Sequence, residues 1–388
     1  MKIKSIEVMK LNMPSQEPKT KPRRPAWSQD AEVANPMSKF PEFKRHRSLW
    51  LPDKWPGVWV KVTAENGVYG LGSCSFGRPV AAIIEDHFAP HLLGIDALAI
   101  ERAWDMMFRL SKPYGTVGLA SVAMSGVDLA LWDLAGKLTG QPVYKLLGGP
   151  VRDRLFTYAT GNDTDWQLEL GFKAVKLACP YGPADGLWGL DENEKLIAHT
   201  RELVGDSVEI MLDCYMAFDV EYTVRLAERM RPYRLKWIEE YLIPEDLDGH
   251  VEVRQRLPWQ TLATGEHMYT PWPFQQFISR RACDILQPDI HWVGGLTACR
   301  RIAEMADAAG MQVILHGGAN SVYGQHLTCA MPNTPWAEYF LASPPGVPIE
   351  EMPRIPGTPA PVNGWTTPSD APGFGQEIPD EWLTPFFV

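Results

Sequence analysis

Val208-Glu209-Ile210-Met211-Leu212-Asp213, Leu235-Lys236-Trp237-Ile238-Glu239 and Thr261-Leu262-Ala263-Thr264-Gly265-Glu266 are short apolar runs that each end in an acid. A continuous apolar run of this length, followed by a helical stretch, is how a parallel strand covered on both faces reads. Successive strands of that kind bring their terminal carboxylates to one rim. Oxygen-only ligands suit a hard cation, Mg2+ above all, which keeps positions open for water or a substrate oxygen. The plainer reading makes each acid a solvated strand end or a helix cap; it fits any one of them but not a regular series.

Outward from these runs the same texture continues. Strands are expected near 155–159, 173–178, 208–213, 235–239, 261–265, 284–288, 312–315 and 337–340, with helices such as Val220–Arg231 and Thr297–Ala309 between them. This alternation predicts a (β/α)8 barrel, whose chemistry sits at the C-terminal rim of the strands. Around that rim Asp289 follows the run from Asp284, His316 follows Gln312-Val313-Ile314-Leu315, and Glu338 follows Trp336-Ala337. An imidazole and a carboxylate on adjacent rim positions can form a dyad in which the acid fixes the tautomer and raises the basicity of the ring. As a bland alternative, His316 and Asp289 could merely cap a strand and a helix. On the second strand Lys176 stands at the depth of the site, Lys173 alternates to the opposite face, and Ala178 occupies the place where a second base could stand. An alanine cannot move a proton.

Upstream the texture differs. Residues 1–12 alternate like a strand, and Val58–Val62 and Val68–Leu71 flank an Asn66-Gly67 turn, which predicts a hairpin. Helical patterns fill 81–145, clearest from Ala120 to Leu138. The chain therefore divides into an N-terminal α+β capping domain, 1–145, a barrel domain, 146–343, and a Pro- and Gly-rich tail, 344–388, expected to pack back on the capping domain. A Pro- and charge-rich stretch, 14–56, has no period and reads as a lid loop. The net charge of −10 argues against a nucleic-acid partner, and the six cysteines without a CxxC pair read as buried free thiols of a reducing compartment. With no secretory signal or membrane-spanning stretch expected, a cytoplasmic enzyme acting on a small molecule is the reading, in a homo-oligomer by the usual preference for closed symmetric assemblies.

The series Asp213, Glu239, Glu266 with Asp289 and His316, together with Gly126-Val127-Asp128-Leu129-Ala130-Leu131-Trp132-Asp133 and Leu146-Leu147-Gly148-Gly149, resembles the mandelate racemase branch of the enolase superfamily. Within that branch Pro36-Met37-Ser38-Lys39, Tyr158-Ala159-Thr160-Gly161, Gly265-Glu266-His267 and Asn333-Thr334-Pro335 look most like the L-rhamnonate dehydratase group. The resemblance implies Mg2+ on Asp213, Glu239 and Glu266, and His316, backed by Asp289, as the base that removes the proton α to an acid sugar's carboxylate. Lys176 and a protonated Glu338 would stabilise the resulting charge, and the β-hydroxyl would leave to give a 2-keto-3-deoxy acid. Arg47 matches a substrate-contacting arginine of the group, although it lies in the basic cluster Lys44-Arg45-His46-Arg47 and could be a plain surface charge; His267, directly after a ligand, is a candidate to contact the substrate or support the ligands, with a buried structural histidine as the alternative. Trp27, Trp50 and Trp55 are candidates to wall the site from solvent.

Two departures bear on the substrate. The group's lid carries a histidine upstream of Pro36, but residues 14–45 contain none and Trp27 lies in that neighbourhood; the segment from His316 to Tyr323 is also slightly long. Both fall where the distal end of a sugar is read, so L-rhamnonate, L-lyxonate and L-mannonate all stay open. Two other functions also remain: a racemase or epimerase, which needs a second proton donor, and a non-catalytic barrel that only binds.

Overall fold

The structure is a computed structural model that describes residues 1–43 and 55–387. Arg47 and Trp50 lie outside the described residues. Strands β1 (Ile3–Leu11), β2 (Val58–Ala64) and β3 (Tyr69–Cys74) form an antiparallel sheet. The β2–β3 turn falls at the Asn66-Gly67 step, with Gly67 at φ +85°, the left-handed conformation that such a turn demands. The helix Leu119–Thr139 covers this sheet. It is long and apolar enough to cross a membrane by length and composition, contrary to expectation, but nine-tenths of it is buried inside the fold.

The remaining strands are β4 (Leu155–Thr160), β5 (Ala174–Ala178), β6 (Glu209–Asp213), β7 (Trp237–Glu239), β8 (Leu262–Thr264), β9 (Ile285–Leu286), β10 (Gln312–Val313), β11 (Trp336–Phe340), β12 (Trp365–Thr366) and β13 (Leu383–Pro385). From β4 to β10 each pairs in parallel with the next, and β11 returns to pair in parallel with β4. Backbone bonds from Val313 to Asn333 and from Ala319 to Glu338 bridge β10 and β11, so the curled sheet is a (β/α)8 barrel. All eight barrel strands fall where the apolar runs predict them, within a few residues at each end.

The barrel floor is a layer of Tyr158, Ala174, Met211, Trp237, Ala263, Ile285 and Ile314, with Trp336 packed against it. Because side chains alternate along a strand, the residue two places on points the same way and one layer higher. Those residues are Thr160, Lys176, Asp213, Glu239, Gly265, Gln287, His316 and Glu338. An apolar floor thus fixes the inward register of a polar layer at the rim. Lys173, out of this register, is exposed.

The Gly126–Asp133 stretch joins the two parts. The Asp128 carboxylate accepts from Thr297 N at 2.9 Å and Thr297 Oγ1 at 2.6 Å, and Trp132 Nε1 donates to Thr297 Oγ1 at 2.9 Å. Asp133 accepts from Leu71 N at 2.8 Å and Phe374 N at 2.9 Å. These buried bonds tie the capping helix to a barrel helix, to β3 and to the tail. The tail itself reaches both parts: β12 pairs antiparallel with the start of β4, and β13 pairs antiparallel with β1.

Candidate active site and metal centre

Asp213, Glu239 and Glu266 converge at the ends of β6, β7 and β8, each offering an oxygen within 4.8 Å of the others'. Glu266 reaches the layer only because the alternation breaks at Gly265, which has φ +134°. A Cβ there would stand 2.8 Å from the Phe274 ring and 3.0 Å from Gln287 N, so only glycine fits. Strain gathers nearby, with Tyr215 at φ +44°, Met216 at +58° and Glu240 at +46°, left-handed conformations that cost non-glycine residues energy and cluster at functional sites.

Glu239 is held on several sides. Its Oε2 accepts from Trp237 Nε1 at 2.9 Å and from Gln287 Nε2 at 2.7 Å, while Lys176 pairs with Oε1. Burial pushes Glu239 up to about 8 despite Lys176, because Asp213 and Glu338 add like charge. Burial likewise takes Glu266 up to about 7 against the pull of His316 and His267. Burial and like charge thus oppose ionisation of these acids, a cost that a cation among them would relieve, and the donor set is oxygen-only and closely spaced. It fits Mg2+.

A second group, Glu240, Glu266 and His267, also comes within 4.8 Å. There His267 Nδ1 lies 2.9 Å from Glu240 Oε2, and its backbone N–H donates to Glu240 Oε1 at 3.2 Å. Burial opposes the charge on His267, but Glu240 and Glu266 outweigh it and raise the imidazole to about 9. His267 Nδ1 is taken up by Glu240, whereas Asp213, Glu239 and Glu266 form an all-oxygen set, so the three-carboxylate group is the candidate centre.

His316 Nδ1 lies 2.6 Å from Asp289 Oδ2, and its Nε2 lies 3.2 Å from Glu266 Oε1. Burial works against a charged His316, yet Glu266 and Asp289 raise it well above its ordinary value. Asp289 is buried too; His291 and His316 nevertheless hold it well below the usual carboxylate range. It is an ionised partner that fixes Nδ1 as the protonated nitrogen and leaves Nε2 toward the rim.

Glu338 differs from expectation. Its Oε1 accepts from Thr160 Oγ1 at 2.5 Å and pairs with Lys176 Nζ at 2.8 Å, and its Oε2 accepts from Gly317 N at 2.9 Å. Burial raises this carboxyl, but Lys176 and His316 draw it down further, below its ordinary range. Glu338 is therefore a carboxylate acceptor rather than a protonated donor. Lys176 is buried among Glu239, Glu338 and Asp213, which keep it charged against the cost of burial.

Two contributions were not anticipated from sequence. Gln287 orients Glu239, and Thr160 orients Glu338. Both obey the inward alternation that identifies their neighbours, and that is the signal by which they could be found. Aromatic rings form one wall of the mouth: Trp55 lies 6.4 Å from Phe76, Phe76 5.8 Å from Trp292, and Trp292 5.5 Å from His316. On the β4–β11 side of the mouth Trp27 lies 6.4 Å from Phe340. The described part of the lid is anchored there by Arg24 on Asp163 and Asp165 at 2.9 and 2.6 Å, and by Ala34 N on Cys179 O at 2.8 Å.

Residues 52–148 match the mandelate racemase / muconate lactonizing enzyme N-terminal domain family, and residues 164–382 match the family described as enolase C-terminal domain-like. The chain is 41% identical over 355 residues to an L-rhamnonate dehydratase of Saccharopolyspora erythraea, covering 91% of this chain and 90% of that one. Among solved structures, the rhamnonate dehydratase from Gibberella zeae complexed with Mg matches with a TM-score of 0.91 at 34% identity, covering 99% of this chain and 96% of that one. A racemase from Streptomyces coelicolor A3(2) with bound magnesium matches with a TM-score of 0.79 at 26% identity, covering 98% of each chain.

Proposed function

The chain belongs to the mandelate racemase / muconate lactonizing enzyme family of the enolase superfamily, and from that premise we propose that it is a Mg2+-dependent acid-sugar dehydratase of the L-rhamnonate type. The observation that carries the reading is one braced base at the rim with, among the described residues, no base at the inward end of β5. His316 is braced by Asp289 at 2.6 Å, while the inward position at the end of β5 is Ala178. A racemase needs a proton donor on each face of the substrate, and dehydration needs only one.

Mg2+ held by Asp213, Glu239 and Glu266 would supply the positive charge that acidifies the C–H next to the substrate carboxylate. His316 Nε2 takes that proton, and the Asp289 carboxylate stabilises the imidazolium that forms. The C2–H electron pair forms the C2–C3 double bond as the C3–O bond breaks. His316 returns its proton to the departing hydroxyl, which leaves as water. The enol then tautomerises to a 2-keto-3-deoxy acid. Lys176 adds a fixed positive charge where negative charge builds on the substrate. Glu338 keeps Lys176 in place and, through Gly317 N, holds the turn that follows the base. His267, fixed on Glu240, offers an N–H toward the pocket as a substrate contact.

The test mixes the protein with Mg2+ and a panel of acid sugars including L-rhamnonate, L-lyxonate and L-mannonate, and assays keto acid with semicarbazide. A dehydratase makes keto acid. Change of optical rotation without keto acid identifies a racemase, and neither signal identifies a binding protein. Six buried free cysteines support work in the cytoplasm, and light scattering tests the homo-oligomer proposed with it.

A further inference from the structure

Trp27 is a described lid residue packed against the barrel's β4–β11 side. On β11 the inward side chains are Trp336 in the floor, Glu338 in the polar layer and, two residues on, Phe340 at the top. Trp27 packs against Phe340, and therefore stands on the inner side of the mouth, above Glu338. Its indole edge fills the place a side chain at Gly161 would take: a Cβ there would lie 2.5 Å from Trp27 Nε1. Gly161 follows directly on Thr160, which donates to Glu338, and has φ +142°. In the ring of strands β4 and β11 lie opposite β7 and β8, which carry Glu239 and Glu266. Trp27 thus faces the end of a substrate remote from a carboxylate held at those acids.

The indole N–H of Trp27 is buried and has no hydrogen-bond partner. Trp104, Trp132, Trp166, Trp237 and Trp292 each donate theirs to a carbonyl, hydroxyl or carboxylate. The adjoining carbonyls are directed at other donors, Gly161 O accepting from Gln167 Nε2 at 2.8 Å and Phe340 O from Asn320 Nδ2 at 3.1 Å. A buried donor left unpaired costs free energy that an acceptor entering the site recovers. Resting on the acid-sugar reading above, we propose that Trp27 is a specificity-determining residue whose indole N–H donates to a hydroxyl oxygen on the distal half of the sugar chain, at C4 or C5.

The experiment measures binding without turnover, by calorimetry in a His316→Asn background with Mg2+ present. The ligands are L-rhamnonate and its 4-deoxy and 5-deoxy analogues. Trp27→Phe keeps the ring and removes the N–H; Gly161→Ala keeps Trp27 and pushes its edge away. Each is expected to weaken L-rhamnonate about 10-fold or more, and to leave unchanged the one deoxy analogue that lacks the paired hydroxyl. Trp27→Phe that binds L-rhamnonate as tightly as its parent overturns the assignment, as does an equal loss for all three ligands, which would make Trp27 a wall and no more. In both of those outcomes wild-type turnover of acid sugars stands and the dehydratase reading survives. Absence of keto acid from every acid sugar with the wild type removes that reading and this assignment together.

Discussion

Glu239 shows how much of the metal centre depends on residues that never touch the metal. Its Oε2 is occupied by two N–H donors, so the carboxylate has one orientation in which Oε1 faces the centre. Replacing Gln287 by Leu removes the donor at 2.7 Å and is expected to weaken Mg2+ binding about 10- to 100-fold in calorimetry, the usual cost of losing an outer partner of a ligand. Replacing Glu239, Asp213 or Glu266 by Ala is expected to abolish both Mg2+ binding and turnover. For the base, His316→Asn should eliminate keto-acid formation and the exchange of the α-hydrogen with solvent deuterium. Asp289→Asn should slow exchange by about 100-fold or more, because an amide neither fixes the tautomer nor stabilises the imidazolium. Wild-type exchange rates in His316→Asn would sink the assignment. The acids and the histidine were legible in sequence because each ends an apolar run. The charge state of Glu338 was not, because it is set by Lys176, which arrives from β5, far away in the chain.

Among elements, the strands were legible and one register shift within them was not. The floor residues alternate with the rim residues on seven of the barrel strands, a period of two that follows from strand geometry alone. On β8 Glu266 comes three residues after the floor residue Ala263, and Gly265 absorbs the extra step. Gly265→Ala puts a methyl group against Phe274 and Gln287 in a left-handed backbone. It is expected to destabilise the fold by about 1–3 kcal/mol, a typical cost of such strain, and to lower Mg2+ affinity at the same time because Glu266 and Gln287 are displaced together. Loss of stability with unchanged Mg2+ affinity, measured by thermal melts and calorimetry on one preparation, would refute that coupling. The lid, 14–56, was read as a loop without period; residues 44–54 lie outside the described part, and the rest carries the short 3-10 turns Trp27–Gln29 and Pro41–Phe43. Its anchoring was hidden, because Arg24 finds Asp163 and Asp165 only once β4 and the following helix are built.

At the scale of the molecule, the capping sheet, barrel and tail are joined by buried polar groups whose titration has opposite signs. The two-residue β12 carries no pattern that a sequence reading could detect, which is why the tail was assigned to the capping domain alone. His326 lies in the barrel helix Val322–Ala330, where its Nδ1 accepts from Tyr144 N at 3.2 Å and its ring packs 5.3 Å from Phe374 of the tail. Burial lowers it from 6.5 to about 3, with Asp370 opposing only weakly. A group depressed on folding binds more protons when unfolded, so its contribution is complete above pH 6.5 and is lost as pH falls toward 3. Between pH 7 and pH 5 that loss is about 2 kcal/mol. Asp128 acts the other way: burial raises it to about 7 against the Thr297 hydrogen bonds, so its cost is relieved as pH falls through that value. The wild-type slope therefore mixes both signs, and the informative quantity is a difference. His326→Gln keeps an acceptor for Tyr144 and cannot ionise. With Mg2+ saturating, denaturant unfolding at pH 7 and pH 5 is expected to show the variant losing about 2 kcal/mol less than wild type over that interval, and equal losses in the two proteins would show that His326 is not held neutral by the junction it fills.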